Sequence, residues 1–173
     1  MRPPVMCCGC PHRGVFYALK RAGVYGQRRH RLLHLRSNAP FNAIDSCVDM
    51  GASNYNGKRR LGCRSPSCGC RYRRLHLHPL RHDSLLDCVN ENANVTIVIS
   101  DNETTAMTGG QDSAGTGRLE AICAGIGVAP EHIRVVVPLK KNYEEMRQII
   151  REEIEYRGVS VIIPRRECIK LST

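Results

Sequence analysis

The run Val95-Thr96-Ile97-Val98-Ile99 is short and rich in β-branched residues, and it has no charged face to offer to water. It constrains the fold more than any other stretch. A strand that alternates apolar and polar residues can lie on an open sheet surface. One that is apolar on both sides must be covered on both, which is the habit of parallel sheets flanked by helices. The chain then turns abruptly polar, in Asp101-Asn102-Glu103-Thr104-Thr105-Ala106-Met107-Thr108-Gly109-Gly110-Gln111. In open α/β sheets ligands bind beyond the carboxyl ends of the strands, and this loop occupies that place. Asn102 and the threonine carbonyls are hard oxygen donors suited to magnesium. Gly109 and Gly110 let backbone N–H groups approach a phosphate closely. The same residue types also favour plain turns, so on chemistry alone the loop reads either way.

The remaining in-phase periodicities supply partners for that strand. His12 to Ala22 reads as a helix with Val15, Leu19 and Ala22 on one face and Gly23 as its C-cap. Ala43 to Ser53 reads as a second helix of small residues. Ser84 to Asn90 is a helix with a serine cap that feeds the strand at Val95. Gly117 to Gly127 contains another, with Leu119, Ile122 and Cys123 apolar. Ile133 to Val137 is a strand, Lys141 to Tyr156 an amphipathic helix with Met146, Ile149, Ile150 and Ile154 inward, and Val159 to Ile163 a last strand. Strands alternating with helices of this length predict an α/β domain with a mainly parallel sheet flanked by helices.

With 173 residues the chain suits one domain. No apolar stretch approaches the roughly 18 residues of a membrane span, and Met1-Arg2-Pro3-Pro4 leads into cysteines rather than an apolar signal core, so a cytoplasmic protein is expected. Ten cysteines in so regular a pattern favour reduced thiols or metal ligands over a disulfide scaffold. The net charge of +10 is concentrated in residues 28–36, with four Arg, and 57–82, with eight Lys or Arg. Neither segment contains an acid, and together they hold five of the seven histidines. Neither shows strand alternation or a helical stripe, so both are expected to be irregular.

Three strings carry a family resemblance. Together with Cys7-Cys8-Gly9-Cys10-Pro11-His12-Arg13-Gly14 and Asn42-Ala43-Ile44-Asp45-Ser46-Cys47-Val48-Asp49-Met50-Gly51-Ala52-Ser53, the loop from Asp101 to Gln111 resembles the thiamine-pyrophosphate-binding domain of 2-oxoacid:ferredoxin oxidoreductases, above all the alpha subunits that act on indolepyruvate. The similarity runs in frame over residues 1–25, 38–53 and 84–173. It implies the thiamine-diphosphate-binding fold, and oxidative decarboxylation of aryl 2-oxoacids to acyl-coenzyme A with iron–sulfur clusters passing electrons to ferredoxin. A beta subunit is the implied partner, with neither nucleic acid nor membrane involved.

The two basic segments stand where that family carries cofactor motifs. Residues 28–36, read one base later with permitted codons, give Gly-Asp-Ile-Gly-Cys-Tyr-Thr-Phe. Residues 71–83 give Gly-Ile-Gly-Asp-Ser-Thr-Phe-Ile-His-Ser-Gly-Met-Thr. Asn54 to Lys58 give Ile-Thr-Met-Ala. The first base of each new codon is fixed by the printed residue, and in the two longer segments it agrees at all 22 positions. The expectation is one domain over 1–173, frame-shifted near 26–37 and 54–83. It is also expected to lack the family's preceding domains and its cysteine-rich tail, and therefore to be inactive alone.

Site residues follow by resemblance. Magnesium would be held by Asn102 and Thr104. Asp101, Thr105, Met107, Thr108, Gly109, Gly110, Gln111 and Gly51 would contact the thiamine diphosphate, and His12, with Arg13 beside it, would touch substrate or cofactor. The magnesium-binding aspartate falls at position 74, where the chain has Arg74. Cys7 and Cys10 form a Cys-x-x-Cys with spacing for one metal or two corners of a 4Fe–4S cluster, whose third ligand falls at Leu32. Cys123 and Cys168 are further thiols that read equally as packed residues. Cys63, Cys68, Cys70, His76 and His78 would mimic a zinc site and are products of the same shift. A different class remains open, a small basic Cys/His-rich protein binding nucleic acid or zinc.

Overall fold

The computed structural model describes residues 6–23, 27–28, 46–47, 70–73, 83–105, 110–112 and 115–171. The described strands are β1 (Gln27–Arg28), β2 (Ser46–Cys47), β3 (Cys70–Arg73), β4 (Val95–Ile99), β5 (Ile133–Val136) and β6 (Val159–Pro164). They form one sheet in the order β2-β1-β3-β4-β6-β5, with each pairing parallel. The helices are α1 (Pro11–Arg21), α2 (Asp83–Asn90), α3 (Leu119–Ile126) and α4 (Tyr143–Glu155).

Each of the last three strands is reached through a helix, which is what parallel pairing demands. The chain leaves β4, crosses by α3 to β5 at the sheet edge, then returns by α4 to lay β6 between them. Two right-handed crossovers in opposite directions put their helices on opposite faces. Alternation along β4 and β6 matches this. Val95, Ile97, Ile99, Val159, Val161 and Ile163 pack with Leu85 and Cys88 of α2 and Leu119 and Cys123 of α3. Val98 and Ile162 face the other way, into Val15, Phe16 and Leu19 of α1 and Met146 and Ile150 of α4. All five residues of β4 are buried, as a two-sided apolar run requires.

Thr96 and Ser160 sit side by side on the α4 face, in register. Both hydroxyls donate to the Glu153 carbonyl, at 2.8 and 3.3 Å, and Ser160 also donates to Thr96 at 3.1 Å. That carbonyl lies in the last turn of α4, where the helix itself supplies no donor. Gly14 marks where α1 crosses closest. A methyl group there would come within 2.5 Å of the Pro138 carbonyl oxygen and 3.3 Å of the Tyr143 ring.

The expected strands at 133–137 and 159–163 and the helices at 12–22, 84–90, 117–126 and 141–156 are all present, with ends shifted by a residue or two. Lys140–Asn142 forms a 3₁₀ turn rather than the start of α4. Gly23 takes φ +71° after α1 and donates to the Lys20 carbonyl, as a C-cap does. Two expectations are corrected. Within the helix expected over Ala43 to Ser53, Ser46–Cys47 is instead a strand paired with Gln27 and Arg28, and the rest of that span lies outside the described residues. The basic segments are not irregular throughout, because Arg28 lies in β1 and Arg71–Arg73 form part of β3, in register with Ile97 to Ile99. Sheet pairing engages only backbone N–H and C=O groups, so a neighbouring strand can recruit a segment with no strand pattern of its own. Among the described residues, no helix is long and apolar enough to cross a membrane.

Candidate functional site at the carboxyl edge of the sheet

The chain leaves β4 at Ser100 and enters the loop held by two short bridges. Asp101 extends the parallel pairing to Arg165 beyond β6, and Thr105 pairs antiparallel with Gln111. Thr105 N–H donates to the Gln111 carbonyl at 2.8 Å, and the Thr104 hydroxyl reaches the same oxygen at 3.3 Å. Gly110, at φ +81°, donates to the Thr105 carbonyl at 3.3 Å and would place an added methyl 3.1 Å from Leu171 Cδ2. The two ends of the loop are therefore tied together, and at Gly110 the positive φ favours a residue without Cβ.

Asn102 is 7% exposed, and neither its side chain nor its backbone has a hydrogen bond to a described residue. The Thr104 carbonyl likewise accepts from no described residue. Just before them, the Ser100 hydroxyl is buried without a partner among the described residues. Three polar groups thus have no partner among the described residues over five positions at the end of a fully buried strand.

The Asp101 carboxylate, expected by resemblance to contact the diphosphate, bonds within its own chain. Its Oδ2 accepts from Arg165 Nε at 2.8 Å, and its Oδ1 accepts the Glu103 N–H at 2.9 Å, so both oxygens are engaged. Arg165 also forks its two terminal nitrogens onto the Glu120 carboxylate, each at 2.8 Å. These hydrogen bonds hold the Glu120 carboxyl below its usual range against the opposing effect of burial, and raise the Arg165 guanidinium further above its own.

The Cys7–Cys10 turn reaches the same region through the segment after β6. Cys10 N–H donates to the Cys7 carbonyl at 3.2 Å, and a methyl at Gly9 would lie 3.7 Å from Ile169 Cγ2. Cys7 and Cys8 are exposed and Cys10 half-buried. His12 follows, buried in the first turn of α1. Among the described residues, no three His, Cys, Asp or Glu side chains group to hold a metal. Cys168 is half-buried after β6. Cys123 lies in the core between α3 and the sheet, where burial, helped by Glu120, pushes its thiol up to about 11. Gly51, Met107, Thr108, Gly109, Arg74, Leu32, Cys63, Cys68, His76 and His78 lie outside the described residues, as does the side chain of Cys70.

Sequence reasoning missed Arg165, Glu120 and Ser100. The signal available was position: Ser100 and Arg165 directly follow the two most buried strands, and Glu120 is in the first turn of α3, the helix after the loop.

The donor set fits a magnesium diphosphate only in part. Asn102 and the Thr104 carbonyl offer two hard oxygens without competing partners among the described residues. The position that would supply the carboxylate holds Arg74, a cation where a cation should bind.

Comparison with known proteins agrees with this geometry. Residues 80–163 match the family described as thiamine pyrophosphate enzyme, C-terminal TPP binding domain. The fold aligns with 2-oxoglutarate:ferredoxin oxidoreductase from Magnetococcus marinus, solved with 2-oxoglutarate, coenzyme A and succinyl-CoA bound. The TM-score is 0.70 at 15% identity, covering 96% of this chain and 65% of that one. The chain belongs to the thiamine pyrophosphate enzymes of the 2-oxoacid:ferredoxin oxidoreductase family, in their TPP-binding domain. Its relatives within that family are indolepyruvate oxidoreductase subunits IorA. That of Archaeoglobus fulgidus is 33% identical over 187 residues, that of Pyrococcus horikoshii 28% over 204, and that of Methanothermobacter marburgensis 28% over 193. Each alignment takes in 96–97% of this chain but 29–30% of the relative, so the chain spans under a third of their length.

Proposed function

We propose that the chain is the diphosphate-side domain of an oxidoreductase that oxidatively decarboxylates aryl 2-oxoacids such as indolepyruvate, giving acyl-coenzyme A and reduced ferredoxin. Asn102 carries the reading: a buried amide at the carboxyl end of β4 without a partner among the described residues. A side-chain oxygen without a competing partner at that place is available to a bound cation. Thiamine diphosphate, when bound, supplies the electron sink for decarboxylation. The chain's own contribution is the Asn102 and Thr104 oxygens and the Gly109–Gly110 turn, with His12 beside the Cys7–Cys10 turn. A beta subunit completes the enzyme, and a cytoplasmic location goes with this reading.

The segments near 26–37 and 54–83 are read as frame-shifted, which explains Arg74 in place of a carboxylate and Leu32 in place of a cluster thiolate. Magnesium needs near-octahedral oxygen ligation and tolerates few losses. In calorimetry the 173-residue chain should therefore show no magnesium-dependent heat with thiamine diphosphate. Tight magnesium-dependent binding would overturn the frame-shift reading. Cys7 and Cys10 should hold a 4Fe–4S cluster only once the third thiolate is restored. In the frame-restored subunit assembled with its partner, indolepyruvate- and coenzyme-A-dependent ferredoxin reduction is expected, lowered at least tenfold by Asn102→Ala. Turnover untouched by that substitution would remove Asn102 from the site.

A further inference from the structure

Arg165 ties together three elements that otherwise meet only at the edge of the sheet. Its N–H donates to the Val136 carbonyl at the end of β5 at 2.8 Å. The peptide units on either side grip Asp101: its N–H donates to the Pro164 carbonyl at 3.0 Å, and its carbonyl accepts from Arg166 N–H at 3.1 Å. The guanidinium then reaches Asp101 after β4 and Glu120 in α3, three contacts of 2.8 Å each, with the Arg165 side chain 24% exposed. A planar fork is the group that can serve two carboxylates at once, since an ammonium has no fixed second edge.

The loop beyond Asp101 needs such support. Glu103 has φ +60°, a left-handed conformation that costs a residue with a Cβ roughly 1 kcal/mol or more. Its N–H is held by Asp101 Oδ1, while Arg165 holds the other oxygen of the same carboxylate. The carboxylate is thereby fixed in rotation about its own axis, and the strained turn that carries Asn102 and Thr104 is fixed with it. The segment that follows Arg165 reinforces the arrangement, with Leu171 against Gly110 and Ile169 against Gly9.

We propose that Asp101, Arg165 and Glu120 form a positioning clamp for the loop, in which the Asp101 carboxylate is a strut and not a ligand and holds Asn102 and the Thr104 carbonyl toward the bound group. The ligand part of this statement rests on the function proposed above, whereas the clamp itself does not. Charge is the working element. Asp101→Asn keeps an acceptor for Glu103 N–H but loses half of the ion pair, and Arg165→Lys keeps the charge but cannot fork.

The test is amide hydrogen exchange on the 173-residue chain. Arg165→Met is expected to speed exchange at Glu103, Thr105 and Gly110 at least tenfold while Val98 and Ile162 in the core stay within about twofold. Arg165→Lys should recover part of the loop protection, and Asp101→Asn should give an intermediate acceleration of about threefold confined to the loop. Unchanged loop amides in Arg165→Met, or equal acceleration of loop and core, overturns the clamp. Should that variant fail to fold, Glu120→Gln replaces it, with a local acceleration of about threefold expected and a uniform or absent one overturning the proposal. None of these measurements requires cofactor. Failure of the functional reading would show as absent thiamine diphosphate binding in the frame-restored enzyme with the exchange pattern intact, and failure of the clamp as the reverse.

Discussion

At the amino end of β4 and β6 the buried polar groups are paired, and at the carboxyl end of the same two strands several are not. Thr96 and Ser160 share the Glu153 carbonyl, and the Glu153 carboxylate, 2% exposed, receives Arg134 Nε at 3.0 Å and lies 2.9 Å from His132 Nδ1. His132 is in turn stacked on Tyr156 at 3.4 Å between ring centroids. Beyond the carboxyl end of β4 the order reverses: the Ser100 hydroxyl, the Asn102 amide and the Thr104 carbonyl are left without described partners. One end of the sheet is built for stability. The other keeps polar groups available at a cost, the mark of a site whose last partner is a ligand.

The largest expected contrast is in thiol chemistry. Cys123, buried in the core with its thiol pushed up to about 11, should alkylate at least about a hundredfold more slowly at neutral pH than exposed Cys7, because both its thiolate fraction and its access to reagent are low. Mass-resolved labelling with iodoacetamide measures the ratio, and comparable rates would mean that the α3 layer opens readily. In the next case, Glu153→Ala should lower unfolding free energy by about 2 kcal/mol in urea. That is less than the usual cost of breaking a buried pair, because Arg134 is 44% exposed and can turn to water. At the other end Ser100→Ala should be neutral or stabilising by up to about 1 kcal/mol, because it removes an unpaired hydroxyl. A loss there equal to that of Glu153→Ala would erase the difference between the two ends.

The smallest effect is acid sensitivity at the clamp. Arg165 depresses the Glu120 carboxyl in the folded state, so its contribution is complete above the ordinary value of 4.5 and is lost as pH falls through the lower folded value. Glu120 is 40% exposed, so the amount should stay below about 1 kcal/mol. Urea unfolding of the chain and of Glu120→Gln should therefore differ at neutral pH and converge as pH falls through that window, and a difference that persists unchanged into acid would remove the ion pair as its cause.

Some of this was legible in the residues. The apolar run at Val95 to Ile99 required cover on both faces, and the helical stripes at Val15 and Leu19 and at Met146 and Ile150 supplied it, because local periodicity encodes which face must leave water. The loop from Asp101 to Gln111 stood out through residue type and its place after a strand, although the same residues suit a plain turn. The ion pair of Asp101 was not legible: nothing near a carboxylate beside an asparagine points to Arg165, 64 residues away, which takes one of its oxygens. Strand pairing at Ser46–Cys47 and at Arg71–Arg73 was equally hidden, since their local patterns carry no strand signal and the pairing is decided by the backbone of the neighbouring strand. Sequence determined which surfaces had to be buried and which residues could bind. Tertiary structure alone decided which of those polar groups were already spent on one another, because ion pairs and sheet ladders join residues whose separation along the chain leaves no local trace.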